Sequence, residues 1–351
     1  MSAVGKAEAP HSLTPCPRRG LLAAPRVRGS DQPGTRALTI QRKPRIGVIG
    51  SNNIDLVTYV SRMPAPGETI EAPSFEMGHG GKGANQAVAA AKLGASVMLV
   101  TKVGDDGFAD ATIKHLAACG VDVRHVGRVA GSSGVATILV EPSGENCIVI
   151  VKGANAAVSP LDIERAADDL ERCDLILLQL EIPRETVYAA IAFGKRRGVT
   201  TLLNPAPADP ALDLEKIRDV DFFTPNESEL AILTGMPVET LEEIGAAARS
   251  LLAKGIGTVI VTLGARGALL ATPTGVTLVP PVRVAAVDAT GAGDAFVGGF
   301  ARYFAAGLGL EAALAKAVRY AADSVTRRGA QKSYASEAEF DAFCARLAAA
   351  V

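Results

Sequence analysis

The chain is poor in the signals that mark secreted, metal-stapled and membrane proteins. Its five cysteines (Cys16, Cys119, Cys147, Cys173 and Cys344) are odd in number, scattered, and include no C-x-x-C pair. That pattern argues against a disulfide framework or a zinc site and fits a reducing, cytoplasmic compartment. The four histidines, His11, His79, His115 and His125, show no metal-ligand spacing. No apolar run approaches the roughly 20 residues of a membrane span. Charge of neither sign prevails: the formal net charge is -1, so no global field draws the protein to nucleic acid or to a membrane surface. What is present is ordinary for a sizeable core: 351 residues, 48% hydrophobic and 21% charged, with 36 Gly and 20 Pro to serve many short turns. Such a chain accommodates one large α/β domain or two smaller ones.

Residues 1–43 stand apart. They hold Lys6, Arg18, Arg19, Arg26, Arg28, Arg36, Arg42 and Lys43 against only Glu8 and Asp31, are rich in Pro, Ser and Gly, and sustain no amphipathic period. Leu21–Ala24 is too short for the apolar region of about 7–15 residues in a secretory signal. The composition predicts a disordered basic extension, with an acid-poor transit peptide as the alternative. The folded part is expected over 44–343, with 344–351 as the end of the last helix.

Arg45–Gly50 reads as a buried first strand. Residues 56–80 alternate and contain the turn Pro64–Gly67, while Gly134–Val140 and Asn146–Val151 read as a hairpin joined by Pro142–Gly144; both stretches are expected to form strands apart from the main sheet. Helices are expected over Lys82–Leu93 and Phe108–Ala118, with a strand over Val97–Val103 between them. From about residue 159 the pattern repeats as helix then apolar strand: 160–171 before Leu175–Leu180, 184–197 before Thr200–Leu203, and 240–254 before Thr258–Leu263. This alternation predicts a parallel sheet covered by helices on both faces. Ligands bind at the carboxyl ends of such strands, where Asn53, Asp55, Glu181, Asn204, Asn226, Thr262 and Gly264 fall.

The most informative stretch is 287–299. Asp288 and Asp294 bracket a turn of Thr290, Gly291, Ala292 and Gly293, followed by small and apolar residues at helical spacing. A helix opening there presents bare N–H groups and the positive end of its dipole, an anion site. A carboxylate held beside bound phosphate is placed to take a proton from a hydroxyl. A capped helix with a Gly-rich entry is the equal alternative at this point. Gly78–Gln86 is not a Walker A loop, because Lys82 precedes Gly83 rather than Ser or Thr. Lys82 and Asn85 lie one turn apart and could donate to hydroxyls. Asn53 and Asp55 share a face of an extended segment and suit vicinal hydroxyls, or merely form a turn. Asn226 and Glu229 have the spacing of a capping box, which leaves open a role for Glu229 in ordering hydrated Mg²⁺.

Five segments occur in the order found in ribokinases of the PfkB-type sugar kinases. They are Gly-Gly-Lys-Gly-Ala-Asn-Gln at 80–86, Asn-Pro-Ala-Pro-Ala at 204–208, Thr-Pro-Asn-Glu at 224–227, Thr-Leu-Gly-Ala-Arg-Gly at 262–267 and Asp-Ala-Thr-Gly-Ala-Gly-Asp at 288–294. The chain resembles this family from residue 45 to 343. The resemblance implies a three-layer α/β/α ribokinase-like fold with a mainly parallel central sheet and a small β-sheet lid, pairing across a homodimer. It implies ATP-dependent transfer of phosphate to O5 of D-ribose, with Mg²⁺ required and K⁺ as activator. Asn53, Asp55, Gly81, Lys82, Asn85 and Glu181 are implied to bind the sugar, with Asp294 as general base. The backbone of Gly291, Ala292 and Gly293 is implied to hold the transferring phosphoryl charge. Asn204 and the Thr262, Leu263, Gly264, Ala265, Arg266, Gly267 turn are implied to face the nucleotide, together with Gly293. Asp288, Thr290, Ser324, Arg327, Gly329 and Ser333 are implied to form the K⁺ site, with Glu229 acting on Mg²⁺ indirectly. One departure stands out: the helical turn that ribokinases carry between Arg319–Ala321 and Ser324–Thr326, with its polar residue near the adenine, is missing. A kinase of 2-deoxyribose or of another furanose or nucleoside is the alternative activity. A non-catalytic sugar sensor is the alternative of a different class.

Overall fold

The structure, a computed structural model, describes residues 43–349; the expectations for residues 1–42 and 350–351 lie outside it. In chain order the elements are β1 (Arg45–Ile49), β2 (Asn53–Tyr59), β3 (Ser74–Gly80), α1 (Lys82–Lys92), β4 (Ser96–Val103), α2 (Ala109–Ala118), β5 (Val121–Asp122), β6 (Val126–Arg128), β7 (Val135–Val140) and β8 (Asn146–Val151). There follow α3 (Pro160–Arg165), α4 (Ala167–Leu170), β9 (Leu175–Leu178), α5 (Arg184–Arg197), β10 (Thr200–Leu203), β11 (Phe222–Phe223), α6 (Glu227–Thr234) and α7 (Leu241–Ala253). The last are β12 (Thr258–Thr262), β13 (Ala268–Thr272), β14 (Gly275–Val279), α8 (Ala292–Ala305), α9 (Leu310–Ser324) and α10 (Glu337–Ala349).

The central strands are apolar at almost every position because both sheet faces are covered. Alternate residues serve opposite layers. Ile46, Val48, Val97, Leu99, Leu175, Leu177 and Leu202 join one core with α1, α8, α9 and α10. Ile49, Met98, Val100, Ile176, Leu178 and Leu203 join the other with α3, α4, α5, α6 and α7. Each Leu or Ile buried in this way contributes roughly 1.5–3 kcal/mol. The main sheet runs β14-β13-β12-β11-β10-β9-β1-β4-β5, with β6 also on β4. Pairing is parallel from β5 through β12 and antiparallel only at the β12–β13–β14 edge.

The second sheet is four-stranded, in the order β3-β2-β7-β8. It is the small sheet expected from the alternating segments near 56–80 and 134–151. In its register Asp55 pairs with Gly78 and Ala136, and Ala136 with Ile150. β5, β6 and β11 have no counterpart in the sequence expectation, and two further details differ from it. The helix expected over 160–171 is broken into α3 and α4 at Ala166, whose N–H is shared between the carbonyls of Asp162 and Ile163, each at 3.2 Å. The β13–β14 hairpin was not anticipated; it returns through Pro273 and Thr274 and places an antiparallel edge on an otherwise parallel sheet.

Candidate active site

Because β1, β9, β10, β11 and β12 run parallel, their carboxyl ends gather Ser51–Asn53, Gln179–Glu181, Asn204, Thr224 and Thr262 along one edge of the sheet. Above that edge α8 begins. Gly291 caps it with φ 76, a backbone region open chiefly to glycine. A Cβ there would lie 2.6 Å from the Tyr334 hydroxyl and 2.8 Å from the Ala330 Cβ. The Tyr334 hydroxyl instead donates to the Gly291 carbonyl at 3.0 Å. The first N–H groups of α8 have no acceptor within the helix, and Asp294 sits among them in the first turn.

Asp294 is buried at 7% exposure, and each of its carboxylate oxygens accepts one hydrogen bond. Asn85 Nδ2 donates to Oδ2 at 2.9 Å, and Gln86 Nε2 donates to Oδ1 at 3.0 Å. Both amides come from α1, which is brought close by Gly83: a Cβ at that position would meet the Ser51 amide nitrogen at 2.6 Å. The Gly-Gly-Lys-Gly motif is therefore a close-approach device that seats the start of α1 against the end of β1.

Around this pair lie the other residues expected to bind the sugar. Glu181 Oε2 accepts the Lys82 N–H at 2.9 Å and the Ser51 hydroxyl. Asp55 reaches in from β2 and accepts no hydrogen bond among the described residues; burial, with the charges of Glu181 and Asp294, pushes its carboxyl up to about 6. For Lys82, burial works against the ammonium, but Asp294, Glu181 and Glu229 together hold it above its ordinary value. Asn53 is fixed by Asn155, whose Nδ2 donates to Asn53 Oδ1 at 2.8 Å. Two opposed demands thus meet in one basin: carboxylates crowded together, and the Lys82 ammonium that tempers them.

On the other side, Asn204 Nδ2 donates to the Thr224 carbonyl at 2.7 Å and Asn204 Oδ1 accepts from Gln86 at 3.0 Å. Asn226 bridges Thr262, and Arg266 pairs with Glu227, so the 224–229 segment and the Thr262–Gly267 turn form one wall. Asn226 and Glu229 do make the capping box, with both reciprocal bonds at 2.8 Å. Burial raises the Glu229 carboxyl, opposed by the Asn226 N–H and Lys82.

The Asp288 region is tied to the loop after α9. Asp288 Oδ1 accepts Thr290 N–H at 2.9 Å and Thr290 Oγ1 at 2.7 Å, while Oδ2 accepts Gly329 N–H at 2.8 Å. Burial opposes the charge, but the bonds from Gly329 and Thr290 hold this carboxyl below the usual range. Arg327 is spent on Asp323 and on the Ser333 carbonyl, at 2.8 Å. The hydroxyls of Ser324 and Ser333 turn back onto the Ala321 and Ala330 carbonyls, each at 2.8 Å. Among the described residues, no group of three or more His, Cys, Asp or Glu is arranged to hold a metal.

Sequence reasoning passed over Ser51, Gln86, Asn155, Gln179, Gln331 and Tyr334. Gln86 lay inside a quoted motif, and its neighbour Asn85 was singled out. The rest carried no local signal, since each acts across more than 40 residues of sequence.

The chain is similar to known proteins along most of its length. The family described as pfkB family carbohydrate kinase matches residues 43–337. A deoxyribokinase of Salmonella typhi is 56% identical over 299 residues, covering 85% of this chain and 98% of that protein. A ribokinase of Mus musculus is 41% identical over 292 residues, covering 82% and 90%. The solved structure of Arabidopsis thaliana ribokinase complexed with ribose and ATP superposes with a TM-score of 0.80 at 32% identity, covering 86% of this chain and 99% of that one. The chain belongs to the pfkB family of carbohydrate kinases and has the ribokinase-like fold.

Proposed function

We propose that this kinase transfers the γ-phosphoryl group of ATP to O5 of a pentose, with Asp294 as the general base. The observation that carries the reading is the Asp294 carboxylate, held by amides on both oxygens at the mouth of α8. A base in that position takes the O5 proton as the oxygen attacks, while the N–H groups of Gly291–Gly293 and the helix dipole face the charge on the transferring phosphoryl group. Asp55, whose carboxylate has no hydrogen-bond partner among the described residues, and Asn53 receive the sugar hydroxyls. Lys82 balances the charge of the surrounding carboxylates. Asn204 and the Thr262–Gly267 turn border the nucleotide.

Mg²⁺ bound with ATP neutralises charge on the phosphate oxygens. Glu229, a buried carboxylate facing Lys82 and Asp294, suits an indirect hold on it through water. The ionised Asp288 and the carbonyl-rich loop through Gly329 suit a monovalent cation, K⁺ in our reading; turnover in potassium salt should exceed that in sodium salt at equal ionic strength.

D-ribose is the substrate expected from the motifs. The greater identity to a deoxyribokinase than to ribokinases favours 2-deoxy-D-ribose as a second reading. Coupled ADP release across D-ribose, 2-deoxy-D-ribose, hexoses and nucleosides, with ³¹P NMR of the product, tests both. Phosphate on O5 of either pentose fits; preference for a nucleoside or hexose overturns the proposal. A homodimer through the lid is supported by Phe75, Met77, Val149 and Val151, exposed large apolar residues on one face of the small sheet. Light scattering should give twice the chain mass, and a monomer would refute this arrangement. The free thiols of Cys119, Cys147, Cys173 and Cys344 accord with a reducing, cytoplasmic compartment; no helix among the described residues is long and apolar enough to cross a membrane.

A further inference from the structure

A chain of side-chain amides runs away from Asp294 in two directions, and its hydrogen-bond polarity is fixed from the carboxylate outward. An ionised carboxylate only accepts, so Asn85 must turn its NH₂ toward Asp294 and its carbonyl away. Gln331 Nε2 donates to that carbonyl, Asn85 Oδ1, at 2.9 Å. Gln331 Oε1 is then left as an acceptor, and it lies 2.7 Å from His115 Nε2. The arm is consistent only if His115 carries a proton on Nε2. On the other arm Gln86 turns its NH₂ to Asp294 and accepts from Gln179 Nε2 at 2.6 Å. There the polarity runs out: Gln179 Oε1 is buried with no partner among the described residues. The Gln86 amide is oriented from two acceptors, Asp294 and, through Asn204, the Thr224 carbonyl. The His115 arm ends on a donor instead.

We propose that Gln331 and His115 are positioning residues for the base, locking Asn85 with its NH₂ toward Asp294. The inference rests on Asp294 being that base. One other group reaches the same ring nitrogen, at longer range. Cys119 Sγ is 3.6 Å from the same His115 nitrogen, against 2.7 Å for Gln331. Lys92 Nζ donates to the backbone carbonyls of Gln331 and Tyr334, at 3.0 and 2.8 Å, and so pins the loop that carries the glutamine. The His115 ring stacks on His79 of the lid strand β3, with centroids 3.9 Å apart and planes at 10°. Gln331 itself is 5% exposed and Asn85 7%, so water offers little replacement for a lost partner.

The test has one readout that needs no turnover. ¹⁵N NMR of the imidazole in the ligand-free full chain should find His115 protonated at Nε2, neutral or charged; a proton on Nδ1 alone overturns the relay. In folded variants, Gln331→Leu and His115→Phe, the second keeping a ring against His79, should each lower kcat about tenfold or more. His115→Gln keeps a donor and should recover most of what H115F loses. Wild-type kcat in Q331L, or equal losses in H115F and H115Q, overturns the proposal. Full turnover in Asp294→Asn would remove the base itself, an outcome separate from the tautomer measurement.

Discussion

Replacing Asp55 with asparagine should make the ligand-free protein more stable at neutral pH while damaging its use of sugar. The carboxyl stands at about 6 against an ordinary 3.8, through burial and then the charges of Glu181 and Asp294. The folded protein thus holds this proton more tightly than the unfolded chain does, so stability falls as pH rises through that interval. Below pH 3.8 the penalty is absent; above about 6 it is complete. At about 1.4 kcal/mol per tenfold in proton affinity, the ionised side chain costs about 3 kcal/mol. Solvent entering a partly open site lowers that to about 1–3 kcal/mol. The substituted asparagine keeps the shape and has no charge to bury. Urea unfolding of both proteins at a series of pH values should show D55N more stable above pH 6, with the gap closing toward pH 4. A gap that does not vary with pH, or a less stable D55N at pH 7.5, refutes the reasoning. The stability gained is a measure of what the site gives up to present an unpaired carboxylate to hydroxyls.

Gly80→Ala places a Cβ 2.1 Å from Asp55 Oδ2, so the pentose KM should rise at least about tenfold in the ADP-release assay, and an unchanged KM contradicts the placement of Asp55. Gly291→Ala must adopt φ 76 and displace the Tyr334 hydroxyl; it should cost about 1–3 kcal/mol in urea titrations and lower turnover. Glu229→Gln retains an oxygen to accept the Asn226 N–H, so the melting temperature should hold while the Mg²⁺ concentration for half-maximal rate rises several-fold; an unmoved Mg²⁺ dependence counts against the role of Glu229.

Much of the fold was legible because its cause is local. Runs such as Leu175–Leu178 and Val259–Val261 are apolar throughout, and sheet strands covered on both faces demand that. Alternation within 56–80 and the Pro142–Gly144 hairpin turn marked the smaller sheet. The carboxyl ends of the parallel strands single out Asn53, Glu181, Asn204 and Thr262 as candidates. What stayed hidden depends on distance in the chain. Gln331 meets Asn85 across 246 residues and Gln86 meets Asp294 across 208, and no spacing rule joins them. The i to i+3 reasoning on α1 coupled Lys82 with Asn85, whereas the adjacent pair Asn85 and Gln86 together hold the carboxylate. The α3–α4 break at Ala166 follows from a shared hydrogen bond that residue type does not announce.

The central claim is that Asp294 takes the proton from the attacking hydroxyl. Single-turnover phosphoryl transfer by Asp294→Asn, with pentose binding followed in parallel, tests it most directly. Asparagine can keep the contact with Asn85 or Gln86 but cannot act as a base. Pentose affinity within a few-fold of wild type, with transfer slowed about 10²–10⁴-fold, is the predicted result. Transfer within tenfold of the wild-type rate in a folded, pentose-binding D294N would contradict it.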